Sequence, residues 1–252
     1  MQKSAPDPLA DSLTTAMPIS NITFSSHRQR DTAFWRLHLL ALTLMAAGLF
    51  WLWQDARLDF WLASLSYSPA ERGFPLKDTF WMREIGHVGL RNFVIAIGVA
   101  TLAVIVWPRT SPELRTHAGY VLLSMAACTL AISVLKQGSV HHCPWDLVQF
   151  GGTAIHLPLF ASLPAGQSAG QCFPGGHASA GFALLALPFA ARGWRPRWVL
   201  PLTLFALLMG GLMSGIQMVR GAHFLSHNLW TLWFCWAICL VVYALYRWRR
   251  WM

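Results

Sequence analysis

Six apolar runs, near residues 35–53, 88–107, 118–135, 178–191, 198–216 and 228–246, constrain this chain more than any other feature. Most are long enough to cross about 30 Å of hydrocarbon as helices. The fold expected is therefore all-α, an integral membrane bundle of six transmembrane helices. With 55% hydrophobic and only 12% charged residues, the chain is neither an ordinary soluble domain nor a disordered one. The run 178–191 is short and ends at Arg192-Gly193-Trp194-Arg195-Pro196-Arg197, so it has to be buried in the bundle or extended by its flanks.

Charge sorts to one side of these spans. The N-terminal tail, the loops carrying Arg109 and Arg115 and Arg192 to Arg197, and the C-terminal end hold twelve Lys and Arg against four Asp and Glu, a net +8. The opposite side holds seven against six, a net +1. The positive-inside rule makes the +8 side, with both termini, cytoplasmic. Topology accounts for the basic pI, and no nucleic-acid partner is needed. Residues 1–34 read as a flexible cytoplasmic tail and 35–252 as the membrane domain, with outward loops near 54–87, 136–177 and 217–227. Within the first loop, Leu58 to Leu65 reads either as a short helix in the headgroup region or as a loop anchored by Trp61.

Chemistry concentrates on the outward side. Pro174-Gly175-Gly176-His177 delivers a histidine to the mouth of an apolar segment, behind a turn whose glycines let backbone N–H groups converge on an anion. Arg220-Gly221-Ala222-His223, followed by His227, ends another run, and Lys136 closes a third. Lys136 and Arg220 read either as interfacial snorkellers or as phosphate contacts, and His177 either as a helix cap or as a catalytic acid. His141 and His142 are adjacent and read as loop residues, with a supporting role for them in the site as the alternative. Asp146 either orients site residues or satisfies loop backbone.

Of the five cysteines, Cys128, Cys235 and Cys239 fall inside spans and are expected to pack as small apolar residues. Cys143 and Cys172 lie on the outward side, beside prolines, where a bacterial cell is oxidising. They are expected to form a disulfide worth roughly 3–4 kcal/mol on the chain-entropy estimate.

The order Lys136…Pro144, Pro174-Gly175-Gly176-His177 and Gly221-Ala222-His223 resembles the type 2 phosphatidic acid phosphatase (PAP2) superfamily of membrane lipid phosphatases over about residues 85–247. In that family the motifs KxxxxxxRP, PSGH and SRxxxxxHxxxD build one site. The resemblance implies His223 as the nucleophile, His177 as the acid that protonates the leaving group, and Lys136 as a phosphate ligand. It also marks departures. Cys143 stands at the arginine position of the first motif and Gly175 at the serine of the second. In the third, Gln217 stands at the arginine and His227 at the aspartate that would orient the nucleophile. Arg220, one helical turn beyond Gln217, is placed to take over phosphate binding beside Gly175, Gly176 and Gln217, and His227 to orient His223.

The activity expected is a phosphohydrolase for lipid phosphates or diphosphates at the outer face of a bacterial inner membrane, through a phosphohistidine and with no cofactor or metal. Its partners would be the substrate lipid and the bilayer. The alternatives are a metal site built from His141, His142, His177, His223 and His227 with Cys143, an inactive relative that binds lipid phosphates, and a phosphotransferase.

Overall fold

The computed structural model describes residues 19–251, with side chains described for 31–248. It divides into two units, one up to Leu44 and one from Met45 onward. The first contains the greater part of helix α1 (Ile19–Asp55). The tail expected through residue 34 is thus helical from Ile19 onward. No Gly or Pro interrupts 19–47, so the helix of the first apolar run extends backward through polar sequence to Ile19. Residues 1–18 lie outside the described residues.

The second unit begins with the end of α1 and turns at Ala56 into α2 (Arg57–Ser64), which settles the stretch around Trp61 as helix. Asp59 and Ala63, one turn apart, are buried on one face, while Leu58, Trp61 and Leu65 are exposed. The next span starts at Trp81 rather than 88, so the loop expected to run to residue 87 ends earlier. A π-helical stretch, Trp81–Gly89, leads directly into α3 (Leu90–Val106). Helix α4 (Pro112–Gln137) is started by Ser111, whose hydroxyl accepts from Leu114 N–H, and by Pro112 at its first position. Helices α7 (Val199–Val219) and α8 (Leu225–Trp251) complete the long elements.

Among the described residues, five helices are long and apolar enough to cross a membrane: Asp31–Asp55, Trp81–Val106, Pro112–Gln137, Pro196–Val219 and Leu225–Trp248. The sixth expected run differs. It forms α5 (Gly176–Phe182), a 3₁₀ turn and α6 (Ala186–Trp194). Pro188 explains the break, because it has no N–H to offer the Leu184 carbonyl and its ring crowds that carbonyl. The segment packs against α4, α7 and α8 and is almost wholly buried from Ala178 to Ala191. Small residues permit this. A Cβ on Gly181 would lie 2.6 Å from Gly210 Cα, so α5 and α7 touch backbone to backbone.

Cys128, Cys235 and Cys239 are buried free thiols between α4 and α8, and Tyr120 donates its hydroxyl to the Cys239 carbonyl at 3.0 Å. At the end of the bundle where α4 stops and α5 and α8 start, Ala63, Phe74, Leu147, Phe150 and Phe224 form an apolar cluster roofing the connecting loops.

Candidate active site

Lys136 occupies the last turn of α4, His177 the second position of α5, and Gln217 to His223 the junction of α7 and α8. The bundle brings these ends together. The Lys136 side chain runs beside Gly176, its Nζ 3.8 Å from where a Cβ on that glycine would sit. Gly175 explains its own departure from the family serine: a Cβ there would meet Asn228 Oδ1 at 2.4 Å, so Asn228 fills the space a larger residue would need.

His223 is buried between the loop ends. Cys143 and Cys172 are joined, with Cα atoms 5.2 Å apart, and the Cys172 sulfur lies 3.4 Å from His223 Nδ1. Burial drives the His223 pKa down to about 3, the charge of Lys136 adds to the shift, and the Cys172 carbonyl opposes it. The ring is therefore neutral at physiological pH, and with Nδ1 turned to Cys172, Nε2 is the atom available to an electrophile. His177, just ahead of the apolar run 178–191, is also depressed, to about 4, first by burial and then by His87, with the Gly86 carbonyl opposing. Its Nε2 is buried and finds no hydrogen-bond partner among the described residues.

Arg220 is buried and held by the protein on two of its nitrogens. Nε donates to the Lys77 carbonyl at 2.8 Å and Nη1 to Gln217 Oε1 at 3.2 Å. The turn that follows needs its glycine, since Gly221 has φ +70° and a Cβ would lie 2.4 Å from the Phe74 ring. Trp145 N–H donates to the Gly221 carbonyl, tying the first motif loop to the third.

His227 is fully buried, stacked on Trp53 with centroids 5.3 Å apart and 5.9 Å from the His223 ring. Among the described residues its Nδ1 finds no hydrogen-bond partner. The neighbour of His223 Nδ1 is Cys172. His141 and His142 serve the loop. His141 bonds Ser139 Oγ and the Pro158 carbonyl, and His142 the Ser168 carbonyl. Asp146 accepts from Thr153 and Ala154 N–H through its own carbonyl. Among the described residues, the group of three possible metal ligands is Cys143, Cys172 and His223, and the bond between its two sulfurs leaves no thiolate for an ion.

Three neighbours of the site escaped sequence reasoning. His87 stacks on His177 with centroids 4.2 Å apart, and its Nδ1 lies 2.6 Å from Gln217 Nε2. Asp59 holds the start of α8 through Ser226. Trp53 walls His227. The one available signal was Gly86-His87 at a span end, a smaller version of the glycine–histidine pattern in the motifs.

The model of the PAP2 superfamily matches residues 117–251, which include all three motif regions and more than half of the chain. The chain belongs to the PAP2 superfamily. This family consists generally of phosphatases that act on lipid phosphates. No curated protein and no solved structure matches the chain.

Proposed function

We propose that this PAP2 protein is a metal-independent phosphohydrolase for lipid phosphates or diphosphates, embedded in a bacterial inner membrane with its site on the outer face. The observation that carries the reading is that Lys136, His177 and His223 stand at three separate helix ends, with the Lys136 side chain beside Gly176 and its charge acting on His223. Helix ends that carry cations and histidines into one buried place are suited to an anion at the membrane surface.

In this mechanism His223 Nε2 attacks phosphorus. A P–N bond forms, the P–O bond to the lipid breaks, and the proton on His177 Nε2 passes to the departing oxygen. His177 then takes a proton from water, the resulting hydroxide attacks phosphorus, and the P–N bond breaks to release phosphate and return His223. His177 is neutral in the empty site. A bound phosphate dianion raises its pKa, so that Nε2 takes up a proton from solvent on binding and holds it for the departing oxygen. Lys136 and Arg220 neutralise charge on the transferring group, a contribution of about 10²–10³ in rate for one preorganised donor.

The test is phosphate release in detergent from phosphatidic acid, phosphatidylglycerophosphate, a polyprenyl diphosphate and lipid A, run beside His223→Ala. Release by the native chain and none by the variant is expected. Tight lipid binding without release, indifferent to His223→Ala, would overturn the hydrolase and leave a binding protein.

A further inference from the structure

We infer that His87, outside all three motifs, is a phosphate-binding residue of this site, its Nε2–H standing in for the arginine that position 217 lacks. This rests on the phosphohydrolase reading above and extends its binding machinery to a fourth element, the π-helical start of the span Trp81–Val106.

One hydrogen-bonded chain links Arg220, Gln217 and His87. A guanidinium has donors only, so the Gln217 atom that meets Arg220 Nη1 at 3.2 Å is the amide oxygen. That fixes the amide, and its NH₂ faces His87 Nδ1 at 2.6 Å. An NH₂ donates, so Nδ1 accepts, and the proton of neutral His87 resides on Nε2. Arg220 thus sets the tautomer of His87 through Gln217. The amide is spent on this relay, which explains how a glutamine at the arginine position is useful.

Packing places the imidazole where a phosphate ligand belongs. Its ring stacks on His177 at 4.2 Å, one ring thickness from the group that serves the leaving oxygen. Among the described residues, the charges that act on it are those of Arg220, Arg91 and Lys136. A π-helical turn widens the helix locally, a distortion found often at functional sites. Here it carries Gly86 against α7, where a Cβ would meet Ile216 at 2.9 Å, and so sets His87 beside Gln217. An extra donor among cations calls for an anion.

Glutamine superposes its amide nitrogen on Nε2 of histidine, whereas asparagine reaches only to Nδ1, and this separates donor position from bulk. With the full chain in detergent, His87→Gln is expected to keep kcat/KM within about threefold of the native value, and His87→Asn and His87→Ala to lose about 10²-fold. In the His87→Ala background, Gln217→Arg is expected to recover about tenfold. A second measurement does not depend on turnover: calorimetric binding of inorganic phosphate, weakened at least about tenfold by His87→Ala and not by His87→Gln. Native activity and phosphate affinity in His87→Ala, equal losses in the Gln and Asn variants, or a native chain that binds no phosphate would each overturn the assignment. If phosphate binding depends on His87 while the native chain releases none from lipid phosphates, the hydrolase reading fails and the His87 assignment stands.

Discussion

Asp59 of α2 accepts two hydrogen bonds from Ser226, one from its backbone N–H at 3.0 Å and one from its hydroxyl. Ser226 is the second residue of α8, so a carboxylate from a distant short helix caps the helix that follows the His223 loop. The carboxylate is 3% exposed, and burial raises its pKa against the lowering effect of Ser226.

The sign of the linkage follows from that shift. A carboxyl whose folded pKa lies above its unfolded value gives a stability that is greatest below the unfolded pKa and declines as pH rises through the folded one. Thermal unfolding followed from pH 4 upward should show this decline in the native chain and a flatter profile in Asp59→Asn. Asp59→Ala should lower stability at every pH by about 1–3 kcal/mol, since it strands two buried donors.

Lys136 is the second-ranked cause of the low His223 pKa, after burial. Removing its charge lets the imidazole hold a proton at higher pH, and a protonated nucleophile does not attack. Lys136→Met should lower kcat/KM through lost phosphate binding and also move the acid limb of the kcat/KM profile upward. A profile that drops without moving would show that Lys136 does not act on His223.

The Cys143–Cys172 bond closes a loop of sequence separation 29 and sets a sulfur against His223. Unreduced, denatured protein should label at three thiols, Cys128, Cys235 and Cys239. Cys143→Ser should destabilise the chain by about 2–4 kcal/mol. It should lower kcat more than KM, because the Cys172 contact that orients His223 relaxes.

Gly175→Ser, which restores the residue usual in the family, should destabilise this chain by about 1–3 kcal/mol because Asn228 Oδ1 stands 2.4 Å from the new Cβ. Adding Asn228→Ala should recover most of the loss. Additive effects of the two substitutions would show that they do not share the space.

The long helices and the three motif positions were legible because hydropathy and spacing are local properties of the chain. The disulfide was legible from the one loop, flanked by prolines, that its cysteines share. His87, Asp59 and Trp53 were not, since each enters through packing between elements far apart in sequence. The role expected of His227 shows the same limit. Its spacing put it one turn from the nucleophile, but only the fold shows the ring stacked on Trp53 and Cys172 placed against His223 Nδ1.

The enclosed segment Gly176–Trp194 bears on how the chain is made. Helix α4 precedes it in synthesis, while α7 and α8, which cover its other faces, emerge later. Small, interrupted by Pro188, carrying Arg192 near its end and followed by Arg195 and Arg197, it offers the insertion machinery little to partition into lipid on its own. Its seating, and with it the delivery of His177 to the site, therefore waits on the last two helices. A chain cut after Arg197 should leave this stretch open to added protease, where the complete chain protects it.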